Sequence, residues 1–341
     1  MSLRHQLCPQ MRIYDKLNFQ WKPFVMFSQS SEIRTEFLNT DIEGLRFNNI
    51  LETVNKSIFE KNNTKKNISV LLGGSTAFGV GATKDENTIS SYLSDDLNYC
   101  FNLASRSYVG IQEIIIFLTK INNLKNLKKI NLLSGINDFY MLQNFENNSP
   151  GGFYFNNYFN KYINYKRNFA LEVLNLFSSN KLYMHQVDNL SLREMIKLLF
   201  SKSFKNKIIK KNQRKISFDE HFDRYFLILS LLSKSMNVKF QYILQPYIHW
   251  CKDLSDEETD LINENSKQKN SYNSSSLKGE INYQKLLNTI KKYSEIYEFD
   301  FIDMNEFFRE NSNKKDWLFI DSIHLNDAGN KLLSKSFINF K

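Results

Sequence analysis

Short apolar runs separated by longer amphipathic stretches set the rhythm of the chain. Ile68 to Gly74 (ISVLLGG) is apolar and partly β-branched and ends in glycines, the pattern of a strand buried on both faces and followed by a loop. Tyr99 to Ala104 (YCFNLA) predicts a second strand and Lys129 to Gly135 (KINLLSG) a third. Between them, Ile111 to Leu124 carries apolar residues at helical spacing and predicts a crossover helix. The rhythm resumes with a helix over Phe218 to Met236, a strand over Lys239 to Gln245, a helix over Ile281 to Tyr297, a strand over Phe299 to Asp303 and a final helix over Asp327 to Phe337. Strands alternating with helices predict an α/β fold built on a five-stranded parallel sheet.

The alternation fails in three places. Residues 139–217 are rich in aromatics, Asn and Lys and read as a mainly helical insertion. Lys252 to Lys278 is polar, with Asn and Ser concentrated over Asn270 to Ser276, and reads as a surface excursion with a mobile tip. Residues 1–66 show no clear period and are expected to pack as an N-terminal extension on a core domain spanning residues 67–341.

Composition narrows the class. With 341 residues, 42% hydrophobic and 24% charged, the chain is long and apolar enough to bury a large core. The net charge of +9 suggests nucleic acid until it is mapped. Between Arg193 and Lys215 nine basic residues face the single acidic Glu194, so nearly all the excess lies in one segment and no nucleic-acid partner is expected. That segment reads as a solvated helical face; the alternative is an apolar face (Leu198, Leu199, Phe200, Phe204, Ile208 and Ile209) flanked by lysines that docks on an anionic membrane or partner. Cys8, Cys100 and Cys251 are widely spaced and odd in number, which indicates neither a disulfide framework nor a zinc knuckle. No apolar stretch of signal-peptide length opens the chain, so a cytoplasmic location is expected, with peripheral membrane contact as the variant the basic segment allows.

Three short motifs carry the chemistry. Gly73-Gly74-Ser75 ends the first strand, Gly135-Ile-Asn137-Asp138 ends the third, and Asp321-Ser-Ile-His324 precedes the last helix. Ligands of open parallel sheets bind beyond the carboxyl ends of the strands, where Ser75 and Asn137 are delivered. A serine hydroxyl needs a base to take its proton as it attacks, and an imidazole oriented by a carboxylate is the usual partner. The three-residue spacing of Asp321 and His324 lets the carboxylate reach Nδ1 and leaves Nε2 for Ser75. Acyl transfer also needs donors for the developing oxyanion, and the Asn137 amide and the Ser75 N–H are the candidates. Read singly, Ser75 would be a helix N-cap and Asp138 a turn acceptor; the ordered set favours a nucleophile. His5, His185, His221 and His249 have no metal-ligand spacing, and no metal or other cofactor is called for. Among them His249 is a substrate-binding candidate, because it lies just past the fourth strand beside Trp250.

Gly73-Gly74-Ser75, Asn102 to Ser107, Gly135 to Asp138 and Asp321 to His324 occur in the order in which the SGNH (GDSL-type) hydrolases carry their motif blocks, and the chain resembles that family over roughly Ile68 to Asp138 and Phe218 to Phe337. The resemblance implies a flavodoxin-like three-layer α/β/α sandwich and Ser-His-Asp catalysis by Ser75, His324 and Asp321. It implies an oxyanion hole made by Ser75, Ser107 and Asn137, with Gly110 as a shifted alternative to Ser107. The chain departs from the family pattern in having Gly74 where an Asp often precedes the nucleophile, and Ser107 where the second block has Gly. Leu244-Gln245-Pro246-Tyr247 and Asn39 to Arg46 resemble SGNH proteins linked to bacterial surface-polysaccharide pathways. That resemblance implies an acylated carbohydrate or glycolipid as substrate, an acetyl or other short acyl group as the part removed, and Gln245 as a further substrate-binding candidate. An O-acyltransferase using the same triad, and a noncatalytic carbohydrate-binding protein on the same fold, are the alternatives.

If the basic segment docks on an anionic surface, replacing Lys205, Lys207, Lys210 and Lys211 by Gln lowers binding to phosphatidylserine vesicles by up to about a thousand-fold, since each lysine near such a surface is worth about 1 kcal/mol. Unchanged co-sedimentation leaves only the solvated face.

Overall fold

In the computed structural model the described residues are 2–49, 57–61, 66–144, 217–267 and 277–337. The central sheet is parallel and five-stranded: β3 (Asn67–Gly73), β4 (Asn98–Asn102), β5 (Leu127–Ser134), β6 (Lys239–Leu244) and β7 (Asp300–Asp303), in the order β4-β3-β5-β6-β7. The first of these strands lies between the second and the third, so the chain winds outward on one side and then returns to build the other. That is the flavodoxin-like strand order, with its switch point between β3 and β5.

Both faces of the sheet are apolar because helices cover both. Val70, Leu72, Ile130, Leu132, Tyr242 and Leu244 pack on one side with the helices Gly110–Lys120, Phe218–Met236 and Glu280–Tyr297. Leu71, Leu133 and Ile243 point the other way, toward the helices Met304–Asn311 and Asp327–Ser334. Alternate residues of one strand therefore enter different cores, which is why the strands read as continuous apolar runs. Burying each such side chain contributes about 1.5–3 kcal/mol.

The five strands and the helices between them fall where the pattern predicts, within a few residues. Three details add to that pattern. Phe139 to Asn144, taken as the start of the insertion, continue the helix Ile136–Asn144, and Phe139 is a fully buried core residue. The polar excursion after β6 contains the helix Asp256–Lys267, whose Leu261 is buried. The helix Met304–Asn311 was not anticipated, being short and following β7 without a break. The remainder of the insertion, the basic segment Arg193 to Lys215 and the tip Asn270 to Ser276 lie outside the described residues. Among the described residues no helix is long and apolar enough to cross a membrane.

The N-terminal extension forms an antiparallel hairpin, β1 (Phe19–Lys22) and β2 (Met26–Gln29), preceded by the short helices Leu3–Leu7 and Met11–Tyr14. Its anchor is Arg46, a guanidinium with 1% exposure. Arg46 donates from Nε to Asp85 (2.8 Å) and from its terminal nitrogens to the Tyr14 hydroxyl (2.8 Å) and the carbonyls of Phe37 (2.9 Å) and Gly79 (2.7 Å). It also lies over the rings of Tyr14 and Phe78. Asp85 is completed by the backbone N–H and the amide of Asn39. Asp41 accepts the N–H groups of Glu43, Leu45 and Ile58. The segment from Asn39 to Arg46 thus builds the extension and fastens it to the turn after Ser75.

A buried ion pair that loses one member leaves an uncompensated charge, at a cost of about 3–5 kcal/mol. Arg46→Met is expected to lower unfolding free energy by that amount in urea titration, and adding Asp85→Asn should recover part of it. A loss under about 1 kcal/mol contradicts the anchoring role.

Candidate active site

Three loops at the carboxyl edge of the sheet converge on Ser75. β3 ends in Gly73-Gly74, and Ser75 opens the short helix Ser75–Phe78. Ser75 Oγ lies 2.7 Å from His324 Nε2, and His324 Nδ1 lies 2.7 Å from Asp321 Oδ2. With Nδ1–H donated to the carboxylate, Nε2 accepts the Ser75 hydroxyl hydrogen bond.

Asp321 is fixed by its own loop. Its Oδ1 accepts the backbone N–H groups of Ile323 (3.0 Å) and His324 (2.9 Å), a turn that makes the three-residue spacing functional. Burial pushes this carboxyl up, but the His324 charge and hydrogen bond, the nearby Arg4 guanidinium and the Ile323 N–H together hold it well below the usual carboxylate range. It therefore stays ionised across neutral pH. The loop is braced twice: the Ile323 carbonyl accepts from Thr76 Oγ1 (2.9 Å), and the Ser322 carbonyl accepts from Ile248 N–H (3.1 Å).

Asn137 stands in the first turn of the helix after β5, with 6% exposure. Its Nδ2 donates to the Tyr108 carbonyl at 2.8 Å, which uses one of its two hydrogens and points the amide along the edge beside Gly74. A Cβ placed on Gly74 would come within 2.6 Å of that nitrogen. This close approach explains glycine before Ser75, where any side chain would displace the amide.

Ser107 has φ +63°, the left-handed region that glycine favours. The departure from glycine is thus one of side chain only, since the backbone keeps the glycine-like conformation. The N–H groups of Ser75 and Ser107 have no hydrogen-bond partner among the described residues. The loop that carries Ser107 is held by the N-terminal extension: Arg106 donates to Gln29 Oε1 (2.6 Å) and to the carbonyls of Tyr14 (3.0 Å) and Leu17 (2.8 Å), and it stacks 4.4 Å over Phe19.

Two proposed members are not in the site. Gly110 N–H is bonded to both carboxylate oxygens of Asp138 (3.1 and 3.0 Å), so it is committed and cannot replace Ser107 as an oxyanion donor. Gln245, taken as a substrate-binding residue, is 2% exposed and donates its amide to Thr76 Oγ1 (2.7 Å). It completes the chain Gln245 to Thr76 to the Ile323 carbonyl, which sets the His324 loop against Ser75. His249 is half-buried beside the Tyr247 ring, one residue after the bond that joins Ile248 to the His324 loop. Desolvation, first, and the nearby Lys278 charge push its pKa down to about 4.

Behind Asn137, Asp138 also meets His221 Nε2 at 2.6 Å. The fully buried Glu113 bonds Ser134 and Tyr225, and burial together with the Asp138 charge raises its pKa. Reasoning from motifs missed Thr76, Arg106 and Arg4. Thr76 and Arg106 adjoin motif residues and could have been suspected; Arg4 has no local signal, being far from Asp321 in sequence.

Neither a family model nor a curated protein sequence matches the chain. Solved structures similar to it include an acetyl xylan esterase (12% identity, 79% of this chain and 96% of that one, TM-score 0.41). Two others are a putative acylhydrolase from Bacteroides fragilis (10%, 82% and 94%, 0.40) and a member of the lipolytic G-D-S-L family from Veillonella parvula (10%, 79% and 94%, 0.41). Likeness at this distance carries no argument about activity, which rests on the side-chain geometry.

Gly74→Ala is expected to cut activity on an ester substrate by about ten-fold or more while the protein stays folded, because a misplaced donor loses much of its roughly 3 kcal/mol. Ser107→Gly keeps the N–H and removes the left-handed penalty, so it should raise unfolding free energy by about 0.5–1 kcal/mol with activity retained. A destabilised Ser107→Gly protein would contradict the strained assignment.

Proposed function

We propose that the chain is a serine esterase of the SGNH type acting through an acyl-Ser75 intermediate. The observation that carries the reading is the continuous hydrogen-bonded line Ser75 Oγ, His324 Nε2, His324 Nδ1, Asp321 Oδ2, with 2.7 Å at each junction, at the switch point of the sheet. Ser75 Oγ attacks the ester carbonyl carbon as His324 Nε2 takes its proton. The resulting oxyanion is met by the N–H groups of Ser75 and Ser107 and by the second Asn137 hydrogen. Collapse expels the alcohol, which leaves with the proton held on Nε2. Water, deprotonated by the same nitrogen, then attacks the acyl-serine and releases the acid and free Ser75. Asp321 remains ionised throughout and offsets the imidazolium charge.

The finer reading is that the acyl group is acetyl or another short chain and the alcohol a sugar, polysaccharide or glycolipid precursor. It is supported by the sequence resemblance of Asn39 to Arg46 and Leu244 to Tyr247, segments whose Arg46 and Gln245 serve architecture. His249 is the side chain we assign to substrate contact.

Ser75→Ala is expected to abolish both hydrolysis of an aryl acetate and labelling by a fluorophosphonate probe. Asn137→Ala should lower kcat by about 10²–10³ with labelling slowed rather than lost. Undiminished hydrolysis by Ser75→Ala removes the nucleophile; absence of labelling in the folded wild-type protein favours a noncatalytic binding role.

A further inference from the structure

The N-terminal helix Leu3–Leu7 brings a cation to the back of the triad. Ser2 caps this helix, and Glu264 of the helix Asp256–Lys267 accepts the backbone N–H groups of Leu3 (2.7 Å) and Arg4 (2.9 Å), which fixes its docking. One guanidinium nitrogen of Arg4 then lies 3.5 Å from Asp321 Oδ2, the same oxygen that accepts the His324 Nδ1–H. A second lies 3.3 Å from Asp15. The Arg4 side chain is 19% exposed, and its Nε is buried with no hydrogen-bond partner among the described residues, so the group is held in place rather than solvated.

We propose that Arg4 is a positioning residue for the triad, sharing the Asp321 carboxylate with His324 and so setting the pH range over which the imidazole acts as a proton acceptor. This rests on the esterase reading above. The sign follows from charge. A cation beside the carboxylate weakens its hold on an imidazolium. Removing the cation strengthens that hold, and the ring takes up its proton at higher pH.

The other groups that face Arg4 and Asp321 are few. His5 on the same helix pairs with Asp15 at 2.9 Å. Cys8, between Arg4 and Asp321 in electrostatic reach, is pushed up to about 11 chiefly by burial and is a neutral thiol at neutral pH. Glu264 is held below the usual carboxylate range, first by the Arg4 backbone N–H, and stays ionised. Asp15 and Glu264 are thus the anions that offset Arg4, and Asp15 is the one in direct contact with the guanidinium.

The test compares Arg4→Gln, Arg4→Lys and Asp15→Asn in the full chain. For Arg4→Gln the acidic limb of kcat/KM on an aryl acetate should move up by about half a unit to one unit, a three- to ten-fold loss of rate below the limb, with the plateau within about two-fold. Arg4→Lys should restore most of the wild-type profile, and Asp15→Asn should move the limb the opposite way. A purely structural role would lower rate at every pH without moving the limb. The second readout needs no hydrolysis: the imidazole signals of His324, assigned by loss in His324→Gln, are titrated by NMR. If no ester is cleaved but the midpoint rises in Arg4→Gln, the esterase reading fails and the Arg4 assignment stands. Midpoints within about 0.2 unit of wild type in both Arg4→Gln and Asp15→Asn overturn it.

Discussion

The buried guanidinium of Arg46 is the constraint on which the rest of the molecule depends. A cation taken wholly out of water must be surrounded by acceptors, and Arg46 draws them from four parts of the chain: Tyr14, Phe37, Gly79 and Asp85. Gly79 closes the short helix that begins at Ser75, so the far end of the Ser75 turn is pinned by a residue of the N-terminal extension. The extension therefore belongs to the site as much as the sheet does. Arg106 fastens the Ser107 loop to the same segment, and Arg4 touches Asp321 from it.

The sheet supplies the other half of the arrangement. A parallel sheet whose first strand lies centrally opens a crevice at its carboxyl edge, between loops that diverge in opposite directions. Ser75 leaves β3 on one side of that crevice and Asn137 leaves β5 on the other. Both stand in the first turn of a helix, where backbone N–H groups lack intrahelical partners and favour negative charge. The Asp321 to His324 loop completes the edge from the end of the chain. It is held by hydrogen bonds to Thr76 and Ile248 rather than by a strand of its own.

Much of this was legible because it is periodic or local. Parallel strands buried on both faces leave continuous apolar runs, and all five were found, as were the long amphipathic helices. The Asp321 to His324 contact was legible because it closes within one turn. Short helices such as Met304–Asn311, too brief to display a period, were missed. Gln245 was misplaced for a different reason. A polar residue at the end of a strand looks the same in sequence whether it faces a ligand or a buried threonine, and only packing tells them apart. Gly110 was open for the same reason, since a glycine N–H is a donor anywhere until the structure shows that Asp138 has taken it.

The sequence by itself determined the elements and the reactive groups: strand and helix periods depend on neighbouring residues, and a Ser, an Asn and an Asp-x-x-His carry their chemistry wherever they stand. Tertiary structure decided which donors remain available, which polar side chains became braces, that Arg4 reaches Asp321 and Arg46 reaches Gly79 from far along the chain, and that Arg106 ties the Ser107 loop to the N-terminal extension. Such contacts join residues tens to hundreds of positions apart, and they exist because a buried charge or amide left without a partner is costly, so most find one in space.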